Sequence, residues 1–273
     1  MAQPEQVTSA AQSGPYDWIG TSVPKVDALD KALGITQYVG DMQMPGMLHA
    51  RIRWSGVPHA VIRGIDTSDA EKVPGVRAVL TAGDIPGVNR YGLAVQDQRV
   101  LADDKVRSAA DPVALVAAET EQAAEEAINK IKLDLEPLRP VLSIEDALDP
   151  TAPAIHEGGN LFARTTVRKG DLDQGVRDSD VIVETTYRTH LMDHMAMETE
   201  SSLAYMDPTG VLTIITSTQY PYRDRRQIAP ALNLSMNKVR VVQAPIGGGF
   251  GRKDDITSEI HAGLRALKTQ RPV

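Results

Sequence analysis

A glycine-rich stretch near residue 250 is the part of the sequence best suited to chemistry. It reads Gly247-Gly248-Gly249-Phe250-Gly251-Arg252-Lys253-Asp254 and lies between a β-rich run and a helix with apolar periodicity. Glycine has no Cβ and reaches positive φ, so the main chain can approach a ligand closely here. The first turn of the following helix offers free N–H groups to an anionic or oxo group. The spacing matches neither a Walker loop nor a dinucleotide fingerprint, and the loop alone predicts a structural turn as readily as a binding site.

Other residues that could bind a metal or transfer a proton are few. His190 and His194 are four residues apart, a spacing that on a helix would place two zinc ligands on one face. The run before them is β-rich and no third ligand is obvious, so we interpret both as locally hydrogen-bonded. Glu198 and Glu200 are interpreted as structural rather than as an acid/base pair, because the sequence implies no pocket around them.

The composition excludes several classes of function. None of the 273 residues is cysteine, so this chain cannot hold an iron–sulfur cluster through thiolates, form a disulfide or use a thiol nucleophile. A formal net charge of -7, from 29 basic and 36 acidic residues, gives no electrostatic reason to expect nucleic acid. No apolar run has the length of a membrane span, and the first residues lack the pattern of a secretory signal. We therefore expect a cytoplasmic protein without a membrane span.

The elements that must position the glycine loop alternate between strand and helix. We expect a polar arm at 1–26, a domain at 27–147, a linker around Asp149-Pro150, and a second domain at 153–273. Strands are predicted at 47–54, 60–65, 76–80, 112–118, 133–135, 163–168, 181–190, 202–206, 211–217 and 239–243. Asp207-Pro208-Thr209-Gly210 is a turn between two of these strands and predicts a hairpin. Helices are predicted at 67–72, 223–232 and 120–132, the last with Ala124, Ala127, Ile128 and Ile131 on one face. A further helix is predicted after the glycine loop, where Ile256, Ile260, Leu264 and Leu267 share a face. This order predicts an α/β or α+β fold.

Several motifs together resemble the xanthine dehydrogenase/aldehyde oxidoreductase family of molybdenum hydroxylases. The glycine loop is similar to that family's Gly-Gly-Gly-Phe-Gly-Gly-Lys-Glu signature, and Ser217-Thr218-Gln219 upstream resembles its Thr-Gln motif. Residues 55–87 and 106–148 resemble its α/β hammerhead domain, and residues 194–219 resemble the start of its molybdopterin-binding region. The likeness implies an α+β chain, with a hammerhead domain followed by the first part of a molybdopterin-binding domain.

The resemblance implies roles for the residues around the cofactor. Gln219 would hydrogen-bond an oxygen ligand of molybdenum. The main chain at Phe250 and Gly251 would face the oxo group of the metal and the pterin edge, with Gly248 and Gly249 beside them. Amide donors fixed on a rigid turn suit an oxo ligand better than mobile side chains do. No side chain of this sequence is expected to ligate the metal directly.

Two positions depart from the family signature. Asp254 stands where the family has a glutamate that touches the substrate, and it is one methylene shorter. We still count it among the catalytic candidates. Arg252 replaces a glycine, and we expect it to pair either with a phosphate of a dinucleotide pterin or with Asp254 or Asp255.

The resemblance further implies an oxidoreductase whose active site is shared between chains. The general base of the family is a glutamate in a Gly-x-Gly-Glu segment that this sequence lacks, so we expect a second molybdenum-subunit chain to carry it. The implied reaction oxidises an N-heterocycle or an aldehyde with oxygen from water. The expected cofactors are molybdopterin with molybdenum, in its cytosine dinucleotide form, and 2Fe-2S clusters and FAD on partner subunits.

Two other functions stay open at this point. One is a molybdenum-dependent hydratase or alcohol dehydrogenase acting on an enone or a cyclic alcohol, which Asp254 keeps in consideration. The other is a non-catalytic scaffold subunit. After Pro272 the sequence predicts the start of a strand. We expect another polypeptide to complete its pairing, with a frayed tail as the other interpretation.

Overall fold

The computed structural model describes residues 19–273. Its strands are β1 (His49–Trp54), β2 (Ala60–Asp66), β3 (Val76–Leu80), β4 (Lys105–Val106), β5 (Pro112–Ala118), β6 (Lys132–Pro137), β7 (Ser202–Met206), β8 (Leu212–Thr216) and β9 (Val239–Gln243). Its α-helices are α1 (Ala28–Ala32), α2 (Ser68–Glu71), α3 (Glu121–Lys130), α4 (Ile144–Leu148), α5 (Leu172–Arg177), α6 (Pro221–Ala231) and α7 (Glu259–Thr269). The mixture confirms the predicted α+β class.

Two antiparallel sheets form in the first half of the chain. Their strand orders are β1-β5-β3 and β4-β2-β6. All seven residues of β5 are buried, as its unbroken apolar sequence predicts for a central strand covered on both faces. Thr120 caps the N-terminus of helix α3, because its hydroxyl accepts the N–H of Ala123 at 3.1 Å. Its buried residues Ala124, Ala127 and Ile128 share the face predicted from the sequence.

The third sheet forms from the second half of the chain and has the strand order β7-β8-β9. Strands β7 and β8 form the predicted hairpin, in which the side chain of Asp207 accepts the N–H of Val211 at 3.0 Å. Helix α6 then connects β8 to β9, and these two strands run parallel. Because the carboxyl ends of parallel neighbours meet at one sheet edge, the segments after β8 and β9 lie side by side.

Helix α7 closes the core beneath this sheet. Ile260 and Leu264 are fully buried within one apolar cluster that also contains Leu212 and Ile214 of β8. A Cβ on Gly263 would lie 2.9 Å from Leu232 Cδ1, so this glycine allows the helix to approach closely. Ile256 is buried as well, but it precedes the helix rather than standing in its first turn.

Two predicted strands do not form. Residues 163–168 and 181–190 pair with no other strand in the described part of the chain. A β-rich composition supplies only the propensity, and a strand exists only where a neighbour supplies the ladder of hydrogen bonds. The prediction at these two positions is therefore wrong for this chain, and their side chains are exposed.

The last residues of the sequence pair within the chain. The N–H and carbonyl groups of Val273 exchange two hydrogen bonds with Ala204 of β7, each 2.9 Å long. The carbonyl of Pro272 accepts the N–H of Leu48 at 2.8 Å, and the Val273 side chain is buried. The expectation that another polypeptide completes this pairing is therefore wrong, and so is the frayed tail.

Contacts divide the chain after Gln37. Residues 38–273 form one compact unit, and the described residues before them contain helix α1, none of whose residues is buried. The domain boundaries expected near residues 26 and 147 stay predictions, and most of the predicted polar arm lies outside the described residues. No helix within residues 19–273 combines the length and the apolar character that crossing a membrane requires.

Candidate functional site

The two motifs singled out in the sequence meet at one edge of the third sheet. Gln219 lies three residues after β8, and the glycine loop begins four residues after β9. The N–H of Gln219 donates to the carbonyl of Lys253 at 2.9 Å, and the N–H of Ala244 donates to the carbonyl of Thr216 at 2.9 Å. The parallel pairing of β8 with β9 thus brings together residues that are about thirty positions apart in the sequence.

Glycine is required at the positions of the loop for two different physical reasons. A Cβ on Gly249 would lie 2.5 Å from Gln219 Oε1, and one on Gly247 would lie 2.6 Å from the Cβ of Glu198. Gly248 and Gly251 instead have φ of 109° and 92°, in the left-handed region that favours glycine. Neighbouring protein side chains therefore require glycine at 247 and 249. The close approach to a ligand that the sequence predicts for the whole loop does not account for these two residues.

The turn around Phe250 presents main-chain donors. The N–H groups of Gly248, Gly249, Phe250 and Gly251 donate to no residue in the described part of the chain. Phe250 itself has φ of 53°, unusual for a bulky residue, and its side chain is 73% exposed. Successive unpaired amides in such a turn form a concave donor surface for an anionic or oxo group.

Two glutamates hold the loop to the segment before β7. Glu198 Oε2 accepts the N–H of Gly247 at 2.7 Å and forms an ion pair of 2.7 Å with the Lys253 ammonium. Glu200 Oε1 accepts from Arg252 Nε at 2.6 Å. Both glutamates therefore have a structural role, as interpreted from the sequence, and that role is to anchor the candidate site.

Arg252 pairs with neither acid proposed for it. Its partner is Glu200 rather than Asp254 or Asp255, because the start of the 3-10 helix at Arg252–Asp254 points the side chain back to the segment before β7. Partial burial favours a higher pKa for Glu200, but the hydrogen bond and charge of Arg252 outweigh it and the pKa lies below its usual value. The guanidinium remains about half exposed.

Three buried acceptors around the loop have no hydrogen-bond partner among the residues that the structure describes. They are Gln219 Oε1, Glu198 Oε1 and Asp254 Oδ1. Buried polar atoms in native proteins are normally satisfied, so a cluster of unsatisfied acceptors indicates that donors from another molecule belong here. Together with the free amides around Phe250, the loop offers both acceptors and donors to a polar ligand.

Sequence reasoning missed a buried acid behind Gln219. Asp224 on α6 is fully buried, and the Thr218 hydroxyl lies near its carboxylate. Burial raises the pKa of Asp224 to about 7; the Thr218 hydroxyl opposes that rise, and the charges of Glu259 and Asp255 add to it. A signal existed in the sequence, because Asp224 stands four residues before the buried Ile228, on the apolar stripe of the helix.

The two histidines do not share a helix face. His190 and His194 lie in the irregular segment before β7 rather than on a helix. No group of three or more histidine, aspartate or glutamate side chains among residues 19–273 is arranged to hold a metal ion. His194 lies near the glycine loop, with Nε2 3.8 Å from the position of a Cβ on Gly251.

Two known protein domains match successive parts of the chain. Residues 33–139 match the aldehyde oxidase and xanthine dehydrogenase a/b hammerhead domain. Residues 155–273, which contain Gln219 and the glycine loop, match the molybdopterin cofactor-binding domain. The candidate site therefore lies within the second of these domains.

Individual relatives agree with these matches. The chain is 40% identical over 258 residues to the nicotinate dehydrogenase large molybdopterin subunit of Eubacterium barkeri, covering 94% of this chain and 61% of the relative. It is 34% identical over 257 residues to the xanthine dehydrogenase molybdenum-binding subunit of Escherichia coli O157:H7, covering 89% and 34%. The solved aldehyde oxidoreductase of Desulfovibrio gigas superposes with a TM-score of 0.86 at 33% identity, covering 92% and 29%. The chain therefore spans between about a third and three fifths of these proteins.

The residues at the loop fit the group that this domain is named for. Molybdopterin carries ring N–H and amino donors, and the molybdenum that it holds carries oxo ligands. The unsatisfied carboxylate oxygen of Glu198 and the amide oxygen of Gln219 match the first, while the amide NH2 group of Gln219 and the free amides around Phe250 match the second. On its sequence, its fold and this donor and acceptor set, the chain belongs to the xanthine dehydrogenase/aldehyde oxidoreductase family, of which it holds the hammerhead domain and a molybdopterin cofactor-binding domain.

Proposed function

We propose that this chain forms part of the active site of a molybdenum hydroxylase that oxidises an N-heterocycle or an aldehyde with oxygen from water. One observation carries the proposal. A turn with four unpaired main-chain amides lies beside the Gln219 side chain, at the carboxyl ends of neighbouring parallel strands. Ligands of α/β proteins bind outside the carboxyl ends of parallel strands. Relatives whose names include nicotinate, xanthine and aldehyde support the substrate class.

Each residue of the site has a separate role in the proposal. The bound molybdenum cofactor would supply the oxygen-transfer and redox chemistry. Gln219 and the amides of Phe250 and Gly251 would bind the oxygen ligands of the metal, while Gly248 and Gly249 bring the main chain close. Donors fixed on a rigid turn need no reorganisation during the reaction, which makes them effective for a charge that changes.

Asp254 and Arg252 are the residues proposed to distinguish this site from its relatives. The buried Oδ1 of Asp254 is free to accept a hydrogen bond from the substrate. The exposed part of the Arg252 guanidinium is available to a phosphate of the cytosine dinucleotide form of the cofactor. Arginine suits this role because its planar donors match phosphate geometry.

The rest of the catalytic machinery is proposed to come from other chains. A second molybdenum-subunit chain would carry the general-base glutamate, and further subunits with 2Fe-2S clusters and FAD would remove the electron pair. Exposed apolar side chains support such a partner: Val181, Ile182, Val183, Tyr187, Leu191, Met192, Met195 and Met197. The complex is proposed to be cytoplasmic.

Metal analysis of the native complex tests the proposal. The chain purified with its native partners should contain molybdenum, and Gln219→Ala should lower the molybdenum content severalfold because the variant loses a side chain that holds the metal's ligands. Gln174→Ala, on the exposed helix α5, is the matched control and should retain the metal. A scaffold subunit would leave the molybdenum content of the complex unchanged in both variants.

A hydratase or an alcohol dehydrogenase remains the second candidate, because Asp254 places a shorter acid at the substrate position. Product analysis in isotopically labelled water separates the functions. A hydroxylase should require an electron acceptor and add one labelled oxygen to nicotinate, xanthine or an aldehyde. A hydratase should add the elements of water to an enone without any acceptor, and an alcohol dehydrogenase should incorporate no label.

A further inference from the structure

We propose that Glu198 is a positioning residue that sets the glycine loop against Gln219. The inference deepens the proposed function and rests on it, because both concern the same site. Glu198 belongs to neither of the two motifs that identify the site, and it precedes Gly247 by 49 positions in the sequence. Its role follows from where its carboxylate lies in the fold.

A single carboxylate oxygen holds both ends of the loop. Glu198 Oε2 accepts the N–H of Gly247 at 2.7 Å and the ammonium of Lys253 at 2.7 Å. The N–H of Glu198 returns a hydrogen bond of 3.2 Å to the carbonyl of Gly247. The turn around Phe250 is therefore closed at its base by one residue.

Burial makes the geometry of the Glu198–Lys253 ion pair specific. The side chains of Lys253 and Glu198 are 2% and 11% exposed, whereas those of Arg252 and Glu200 are 53% and 28% exposed. A buried charge that loses its partner cannot be rescued by water, so the loop must keep Lys253 on Glu198. An exposed pair can be exchanged for solvent at little cost.

The contact between Glu198 and Lys253 also positions Gln219 through the main chain. The carbonyl of Lys253 accepts the N–H of Gln219 at 2.9 Å, so a shift of Lys253 moves the residue proposed to face the metal. The main chain at Gly249 is already in close contact with the Gln219 side chain, because a Cβ on Gly249 would lie 2.5 Å from Gln219 Oε1. Glu198 thus sets the distance between the amide donors and the Gln219 side chain.

Glu198→Gln in the native complex tests the inference, with Glu126→Gln as the matched control, because Glu126 forms an exposed 2.7 Å ion pair with Lys130 on α3. The readouts are molybdenum content, melting temperature and the electron paramagnetic resonance spectrum of the reduced molybdenum centre. Glu198→Gln should alter the spectrum and lower the molybdenum content severalfold, because Lys253 loses its charged anchor. Glu126→Gln should leave the spectrum and the molybdenum content close to those of the parent.

A double variant separates positioning from simple stabilisation. Glu198→Gln with Lys253→Met removes both buried charges, so the melting temperature should recover while the spectrum and the metal content stay altered. The inference is overturned if the double variant restores the melting temperature, the spectrum and the molybdenum content. It is also overturned if Glu198→Gln alone gives the same three readouts as a parent complex that contains molybdenum. A parent complex without molybdenum would overturn the proposed function, and this inference with it.

Discussion

At the scale of single residues, the candidate site is defined by groups that lack a hydrogen-bond partner among residues 19–273. The unpaired amides around Phe250 and the unsatisfied oxygens of Gln219, Glu198 and Asp254 lie on one loop and its neighbours. Each of the three buried oxygens would weaken the fold if it stayed unsatisfied, because a buried polar group without a hydrogen bond loses its interaction with water. Their clustering is therefore evidence for a ligand, whereas any one of them alone would not be.

Asp224 is the residue for which a pH-dependent effect is expected. Its pKa in the folded chain is about 7, above the ordinary 3.8, so the folded state keeps a proton that the unfolded state releases. Stability contributed by this group therefore falls as the pH rises from about 4 to about 7. Asp224→Asn should stabilise the chain relative to the parent, and this gain should be about 2–3 kcal/mol larger at pH 8 than at pH 5.

Denaturant unfolding at both pH values measures this difference. Asp173→Asn, on the exposed helix α5, is the control and should show no change with pH relative to the parent. Burial also lowers the pKa of His261 to about 4, which acts in the opposite sense over the same range. Comparing variant with parent at each pH cancels that contribution. An equal effect of Asp224→Asn at pH 5 and pH 8 would contradict the assignment.

At the scale of elements, close packing of α7 on β8 supports the strand that leads to Gln219. A Cβ on Gly263 would lie 2.9 Å from Leu232 Cδ1, 3.2 Å from Leu212 Cδ2 and 3.3 Å from Ile214 Cδ1. All three neighbours are buried and cannot easily move aside. The position of β8 therefore depends on a glycine in the middle of a helix, where glycine is otherwise unfavourable.

Replacing that glycine tests the contact. Gly263→Ala gains about 1 kcal/mol of helix propensity but overpacks the core at a cost of roughly 1–3 kcal/mol, so we expect a net loss of stability. Gly175→Ala, in the exposed helix α5, has nothing within 4 Å of the new Cβ and should leave the melting temperature unchanged or slightly higher. An equal gain of stability in the two variants would show that the core around Gly263 accommodates the added methyl group.

At the scale of the whole molecule, the segment before the candidate site is one of the parts that the described fold leaves exposed. Between residues 181 and 193 no main-chain N–H donates a hydrogen bond within the described part of the chain. The same segment holds exposed apolar side chains, among them Val181, Val183 and Leu191. It runs directly into the residues that carry Glu198, so whatever covers it also borders the proposed active site.

Hydrogen exchange can show whether a partner covers this segment. In the chain alone, amides of 181–193 should exchange at the rate of an unstructured peptide, because they make no main-chain hydrogen bonds. In the native complex, strand pairing should slow their exchange by about a hundredfold or more. Amides of β5, whose residues are all buried, provide the internal reference and should be protected in both samples. Unchanged exchange at 181–193 in the complex would place the partner elsewhere.

The sequence by itself determined several of the local elements and the motifs that make up the candidate site. The apolar run of β5, the hairpin turn at Asp207 and the spacing of buried residues on α3 each require only local geometry, and all three are confirmed. The glycine loop and the Thr-Gln motif could be recognised from the order and spacing of their residue types along the chain, although the contacts that require Gly247 and Gly249 appear only in the fold.

Only the tertiary structure decided which distant residues meet. The anchoring of the loop on Glu198, the burial of Asp224 and the pairing of Val273 with Ala204 all depend on contacts between segments far apart in the chain. The failure of the strands expected at 163–168 and 181–190 has the same cause, since a strand requires a neighbour that its own sequence does not specify. Local sequence sets what each segment can become, and the packing of the whole chain decides which partner each segment finds.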